Sequence, residues 1–210
     1  MKIKSLLLLL PFLISGCAHY SLAPSEGRPI GDLYSVESRI AWSRADEGGI
    51  ELWTIDGPLL EALRFISVKD GDPLIQTTDK DARVPRFRAH MTPSEVTEFF
   101  VASLRTISAG IDTHQLSKGM VDVRRIREGG IDASSIHVRN LRPASFGRLP
   151  GFRFDFDFLS KEGLEREGIA LGAIHDGRLL LMVYTGTREY YFEKHRAEVE
   201  GVFSSVQIPK

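Results

Sequence analysis

The chain holds a single cysteine, Cys17, in 210 residues. One thiol cannot close a disulfide within the chain, and zinc sites built from several cysteines are excluded with it. An excess of charge is also lacking: 27 basic side chains face 28 acidic ones, a formal net charge of −1. No basic surplus points to a nucleic acid. Glycine and proline stay near globular averages, at 19 and 10 residues, which excludes collagen and low-complexity chains. Internal repeats are absent. What the chain does have is 42% hydrophobic residues and enough length to bury roughly 70% of its unfolded surface, so one self-sufficient globular domain is expected.

Its front end is different. Lys2 and Lys4 precede Leu6 to Leu10 and Phe12 to Ile14, interrupted by Pro11. That stretch is too short for the ~20 apolar residues of a membrane-spanning helix and matches the apolar core of an export signal. Leu13, Ile14, Ser15, Gly16 and Cys17 resemble the bacterial lipobox, in which small residues admit the signal peptidase and the thiol receives a diacylglycerol. The resemblance implies a signal peptide over 1–16, a mature chain starting at acylated Cys17, and membrane lipid as a partner. Acyl chains contribute about 0.8 kcal/mol per buried methylene, and two or more hold a protein on a bilayer where one does not. Ala18, not an acidic residue, follows Cys17, so by analogy with enterobacterial sorting the protein is expected at the outer membrane, facing the periplasm. Residues 17–32, with Pro24, Gly27, Pro29 and Gly31, read as the lipidated Cys and a tether, and residues 33–210 as the domain.

Within that domain strands dominate. Leu33 to Arg44 reads as one strand, turned at Asp46 to Gly49 into a second over Ile50 to Asp56. Leu59 to Val68 fits neither period cleanly and is read as a strand bounded by turn residues. Residues 70–91 read as a polar surface excursion. Thr92, Pro93 and Glu95 then spell a capping box with proline at the first helical position. The helix they open carries Val96, Phe99, Phe100, Leu104 and Ile107 on one face and ends at Gly110. Ile131 to Leu141 reads as a strand. Phe152, Phe154, Phe156 and Phe158 alternate with Arg153, Asp155 and Asp157, which puts four rings on one face of a strand and the charges on the other. Asp176 and Gly177 mark a type I′ turn between Gly168 to His175 and Arg178 to Thr187. Glu189 to Phe203 reads as a closing helix.

This order makes an α+β sandwich: an antiparallel sheet packed against a helix from the N-terminal half and a C-terminal helix. Gly151 to Leu159, Gly168 to Thr187, and Tyr190 to Ser205 with its closing Val202, Phe203, Ser204 and Ser205 resemble the final strands and helix of the PsbP-like fold. That fold is shared by extrinsic photosystem proteins, nuclear Ran-release factors and several bacterial envelope lipoproteins. The resemblance implies a binding or assembly subunit and carries over no catalytic residue.

Chemistry is thinly marked. The six histidines include no His-Glu-x-x-His and no pair at helix or strand spacing, so neither a metal nor a cofactor is expected. There is no Gly-x-Ser-x-Gly elbow and no phosphate loop. Charge is more telling: residues 17–82 carry net minus six, residues 83–153 plus six, and residues 154–210 minus three. In the basic middle, Arg124, Arg125, Arg127, Arg139 and Arg142 present guanidinium forks suited to phosphate or carboxylate. They are the expected anion- or partner-binding residues. The leading expectation is therefore a non-catalytic envelope subunit that binds another envelope component or anionic lipid. The alternative is a periplasm-facing hydrolase or ligand-binding protein using Asp155, Asp157 and His175, and a third is a small-ligand carrier with a closed apolar cavity.

Overall fold

The computed structural model describes residues 20–23, 27–46, 50–75, 83–108 and 132–209. Cys17 and the signal lie outside them, as do Gly110, Ile131 and the segment holding Arg124, Arg125 and Arg127. Among the described residues ten strands and two helices follow in chain order: β1 (Ser21–Ala23), β2 (Arg28–Ile30), β3 (Tyr34–Val36), β4 (Trp42–Asp46), β5 (Glu51–Thr54), β6 (Glu61–Lys69), α1 (Pro93–Ser108), β7 (His137–Phe146), β8 (Leu149–Leu159), β9 (Glu165–His175), β10 (Arg178–Thr187) and α2 (Tyr191–Ser204).

Eight strands form one sheet in the order β1-β4-β5-β6-β10-β9-β8-β7, and β2 and β3 pair separately. Every neighbouring pair is antiparallel. Two meanders are thus joined where β6 runs beside β10, from Arg178 opposite Lys69 to Gly186 opposite Glu61. Helix α1 lies in the chain between them and covers one face: Val96, Phe99 and Phe100 pack with Ile66, Val68, Leu179, Leu181, Val183 and the four β8 phenylalanines. Helix α2 and the β2–β3 hairpin cover the other, where Phe192, Val199, Val202 and Phe203 pack with Leu63, Phe65, Leu180, Met182 and Tyr184. The result is a three-layer α+β sandwich. Burial on both faces explains why Leu179 to Tyr184 is apolar without alternation, whereas β8 alternates.

Local signals appear where local chemistry suffices. Glu95 Oε2 accepts the Thr92 N–H at 2.7 Å and the Glu95 N–H donates back to Thr92 Oγ1 at 3.3 Å, closing the capping box. Asp176 and Gly177 adopt φ of +48° and +71°, as a type I′ turn demands. On β9, Gly168 and Gly172 sit opposite Phe156 and Phe152, and a Cβ on Gly168 would fall 2.2 Å from the Phe156 ring. The missing side chains leave room for the rings of the neighbouring strand.

Four expectations are corrected. Residues 33–44 are two strands, because the Ser38 hydroxyl donates to Ile40 O at 2.8 Å and accepts the Trp42 indole N–H at 2.8 Å, turning the chain. The tether is shorter than read: Ser21–Ala23 pairs with β4, and Arg28–Ile30 pairs with β3. Residues 70–91 are no simple surface excursion, since Gly71 and Phe87 share a backbone hydrogen bond of 2.9 Å and Phe87 is fully buried under α1. The strand placed at Ile131 starts at His137, after a 3-10 turn at Ala133–Ser135 capped by Asp132.

Candidate functional site

The three residues of the hydrolase alternative do not meet. Asp155 is registered with Ile169 on β9, six residues from His175, which at about 3.4 Å per residue is roughly 20 Å away. His175 instead contacts Asp176 at 3.4 Å. Asp155 and Asp157 belong to a ladder of charge on the α2 side of β7, β8 and β9. Arg139 bridges Asp157 at 3.0 Å and Glu167 at 3.1 Å. Arg188 reaches Glu167 at 3.0 Å and Glu165 at 2.5 Å. Asn140 Nδ2 donates to Asp155 at 2.8 Å, with Arg142 at 3.8 Å. Arg153 clasps Glu200 of α2 through two guanidinium N–H groups. Arg139 and Arg142, expected to hold an external anion, are thus matched by carboxylates of the protein's own strands. The other three expected arginines lie outside the described residues.

A second polar group lies two strands from this ladder, with Gly186 in register between Glu61 and Glu167, where β5 turns into β6 beneath the first turn of α2. Gly186 of β10, opposite Glu61, lets α2 approach so closely that a Cβ there would lie 2.8 Å from the backbone of Phe192. Glu61 is fully buried. Its Oε1 accepts the Thr54 hydroxyl at 2.7 Å and the N–H groups of Ile55 and Asp56 at 2.5 and 3.0 Å, so the carboxylate pins the β5–β6 turn. Its Oε2 is buried with no hydrogen-bond partner. Asp56 Oδ2 lies 2.5 Å from His195 Nε2 and 2.7 Å from Lys194 Nζ. Those two hydrogen bonds, His195 first, hold the Asp56 carboxyl below its ordinary pKa, and the same contact raises Lys194. Asp56, Glu61 and His195 each offer a ligand atom within 4.8 Å of the others.

The surroundings are built to keep this group in place. Arg166 is buried beside it, donating to the carbonyls of Leu59 at 2.5 Å and Leu60 at 3.4 Å. Burial, with Arg64 adding to it, pulls that guanidinium down to about 10. The Tyr184 hydroxyl donates to Tyr191 O at 2.9 Å, tying β10 to the start of α2. Burial first, and Glu61 second, push the Tyr184 phenol well above its usual pKa. Lys194 rests against the rings of Tyr190 and Tyr191, 5.4 Å from each centroid. The sequence reading missed this grouping, because His195 is 139 positions from Asp56 and neither sits in a recognisable motif.

A third feature is an open groove of about 540 Å³ between the 37–39 segment and α2, lined by Glu37, Ser38, Arg39, Ala197, Gly201 and Ser204 among others. Its walls are sewn together at one end, where the Ser205 hydroxyl accepts the Glu37 N–H at 2.8 Å and donates to Glu37 O at 3.0 Å. The groove is open and of mixed polarity, unlike the closed apolar cavity a small-ligand carrier would need.

No family model matches the chain, and no curated protein does. Among solved structures, it is similar to the solution structure of cyanobacterial PsbP (CyanoP) from Synechocystis sp. PCC 6803, with a TM-score of 0.52 at 13% identity over 97% of this chain and 99% of that one. A structure from Bacteroides thetaiotaomicron reaches a TM-score of 0.44 at 10% identity, covering 85% of this chain and 46% of the other, and carries no argument. The chain therefore has a PsbP-like fold.

Proposed function

We propose that the protein is a lipid-anchored subunit of a bacterial envelope, held by acylated Cys17 and acting without catalysis as a binding or assembly partner for another envelope component. The observation that carries this reading is the open groove beside α2, set against Asp155, Asp157 and His175, which do not converge. An open trough of mixed polarity, with Ser38, Ala197, Gly201 and Ser204 among its lining, suits an extended segment of a partner protein. The anchor has a consequence for orientation. Between Cys17 and Ser21, the first residue of β1, four residues span at most about 14 Å. The β1 edge of the sheet would sit near the leaflet. No helix among the described residues is long and apolar enough to cross a membrane, so attachment through lipid is consistent with the fold.

Two measurements test the reading. Cys17→Ser should abolish incorporation of labelled palmitate and release the protein from membranes, and equal labelling of both forms overturns the anchor. Gly201 lines the groove and has nothing within 4 Å of an added Cβ, so Gly201→Trp starts a bulky side chain there from open space. Affinity purification from solubilised membranes should lose the partner with Gly201→Trp and keep it with Gly201→Ala. Identical partners from both variants and the native protein overturn the groove.

A further inference from the structure

We propose that Asp56, Glu61 and His195 bind a divalent transition-metal cation of the zinc class, a site that pins α2 to the β5–β6 turn. The donor set is two carboxylates and one imidazole, which suits a borderline cation of this kind better than calcium or magnesium. Ligand atoms about 2.0–2.2 Å from one metal lie roughly 3–4 Å apart. The three donors already lie within 4.8 Å of one another, so closing on a cation asks for a shift of roughly one ångström.

The second observation is the free oxygen of Glu61. The carboxylate is fully buried, its Oε1 is fixed by Thr54 and two backbone N–H groups, and its Oε2 has no partner. A buried, unpaired carboxylate oxygen costs free energy unless a proton or a cation meets it. The hydrogen bonds on Oε1 supply the outer support that orients a metal-bound carboxylate. Lys194 marks the point of entry. Its ammonium lies on Asp56 Oδ2, where it neutralises the charge that a metal would neutralise. Lys194 and Asp56 are both partly exposed, so the ammonium can swing out as the cation arrives. Water completes the coordination on that open side, as in zinc sites with three protein ligands.

The test is isothermal titration of the metal-stripped full-length protein with zinc chloride in detergent, in a Cys17→Ser background that removes the one thiol as a competing ligand. One zinc per chain is expected. His195→Gln and Glu61→Gln should each weaken binding by roughly tenfold or more. Lys194→Met, a change at a partly exposed position, should tighten it several-fold by removing the competing ammonium, an effect that a purely structural ion pair does not predict. Thermal melts of each variant in the absence of metal establish that it folds. Failure of the native residues to take up zinc, zinc uptake unchanged in both His195→Gln and Glu61→Gln, or looser binding in Lys194→Met overturns the proposal.

Discussion

The two faces of the sheet solve different problems with the same strands. Under α1, four phenylalanines of β8 stack along the strand and meet Phe100 edge-on, at centroid distances of 5.4 Å to Phe154 and 5.2 Å to Phe156. The charge buried beside them is Arg166, opposite Phe158 at the end of the strand. Under α2 the core is apolar in the middle but flanked by charge, with the arginine and carboxylate ladder on β7 to β9 and the Asp56, Glu61, His195 group at the β5–β6 turn. The comparison teaches that the α1 face is built chiefly by apolar packing, whereas the α2 face also holds the charged clusters and the open groove. Apolar packing is non-directional and tolerates no void, whereas charged pairs near water contribute little to stability and can be reused for recognition.

Replacing one residue on each face of β8 breaks the comparison most directly. Phe154→Ala, fully buried, should destabilise by about 3–5 kcal/mol. Asp157→Ala, on the opposite face and partly exposed, should cost no more than about 1 kcal/mol. Urea denaturation of the two variants measures the contrast, and equal losses would dissolve the distinction between the faces. Next in size is Gly168→Ala, whose Cβ would collide with the Phe156 ring. It should cost about 1–3 kcal/mol, read as a lower melting temperature, with a change in near-ultraviolet dichroism as the ring moves.

Alkaline pH probes the buried tyrosines of the α2 face. Tyr34 and Tyr184 both pack there, and burial raises both phenols above their ordinary value, with Glu51 and Glu61 respectively adding to the effect. The folded protein therefore keeps protons that the unfolded chain releases near pH 10. Their stabilisation is complete below about pH 10 and is lost as pH rises above it. Arg166, lowered to about 10, binds fewer protons when folded over the same window and offsets part of that loss. Melting temperatures should hold steady up to about pH 9 and fall beyond about pH 10, and the Tyr184→Phe variant should show a shallower fall. A slope unchanged by that substitution would remove Tyr184 from the account. The smallest effect sharpens the view of α2 as a helix with an open flank. Gly201→Ala meets no atom within 4 Å and should stabilise by about 0.5–1 kcal/mol, by restricting the unfolded backbone. A loss of stability would mean that the flank is closed.

Much of the architecture was legible because its causes are local. The Phe152 to Phe158 alternation, the Thr92 and Glu95 capping box and the Asp176 and Gly177 turn each depend on residues within a few positions of one another. The break at Ser38 and the burial of Phe87 were not legible: a serine hydroxyl that turns the chain over four residues has no distinctive spelling, and the ring that anchors the loop does so against α1 and Gly71. The candidate sites were least legible of all. Asp155, Asp157 and Arg139 were visible as charges, yet their mutual neutralisation depends on the register of β7, β8 and β9. Asp56, Glu61 and His195 carried no signal, because a turn, a strand start and a helix must be stacked before they meet.

The sequence by itself determined α1, the alternation of β8 and the turn between β9 and β10, because side-chain period and capping chemistry act over one turn or one strand. It also carries the lipobox-like pattern at Cys17, a matter of short-range spelling. Only the tertiary structure decided which charges are neutralised and which oxygen is left unpaired. Electrostatic partnership depends on distance in space, and β6 running beside β10, together with α2 lying over Gly186, sets those distances.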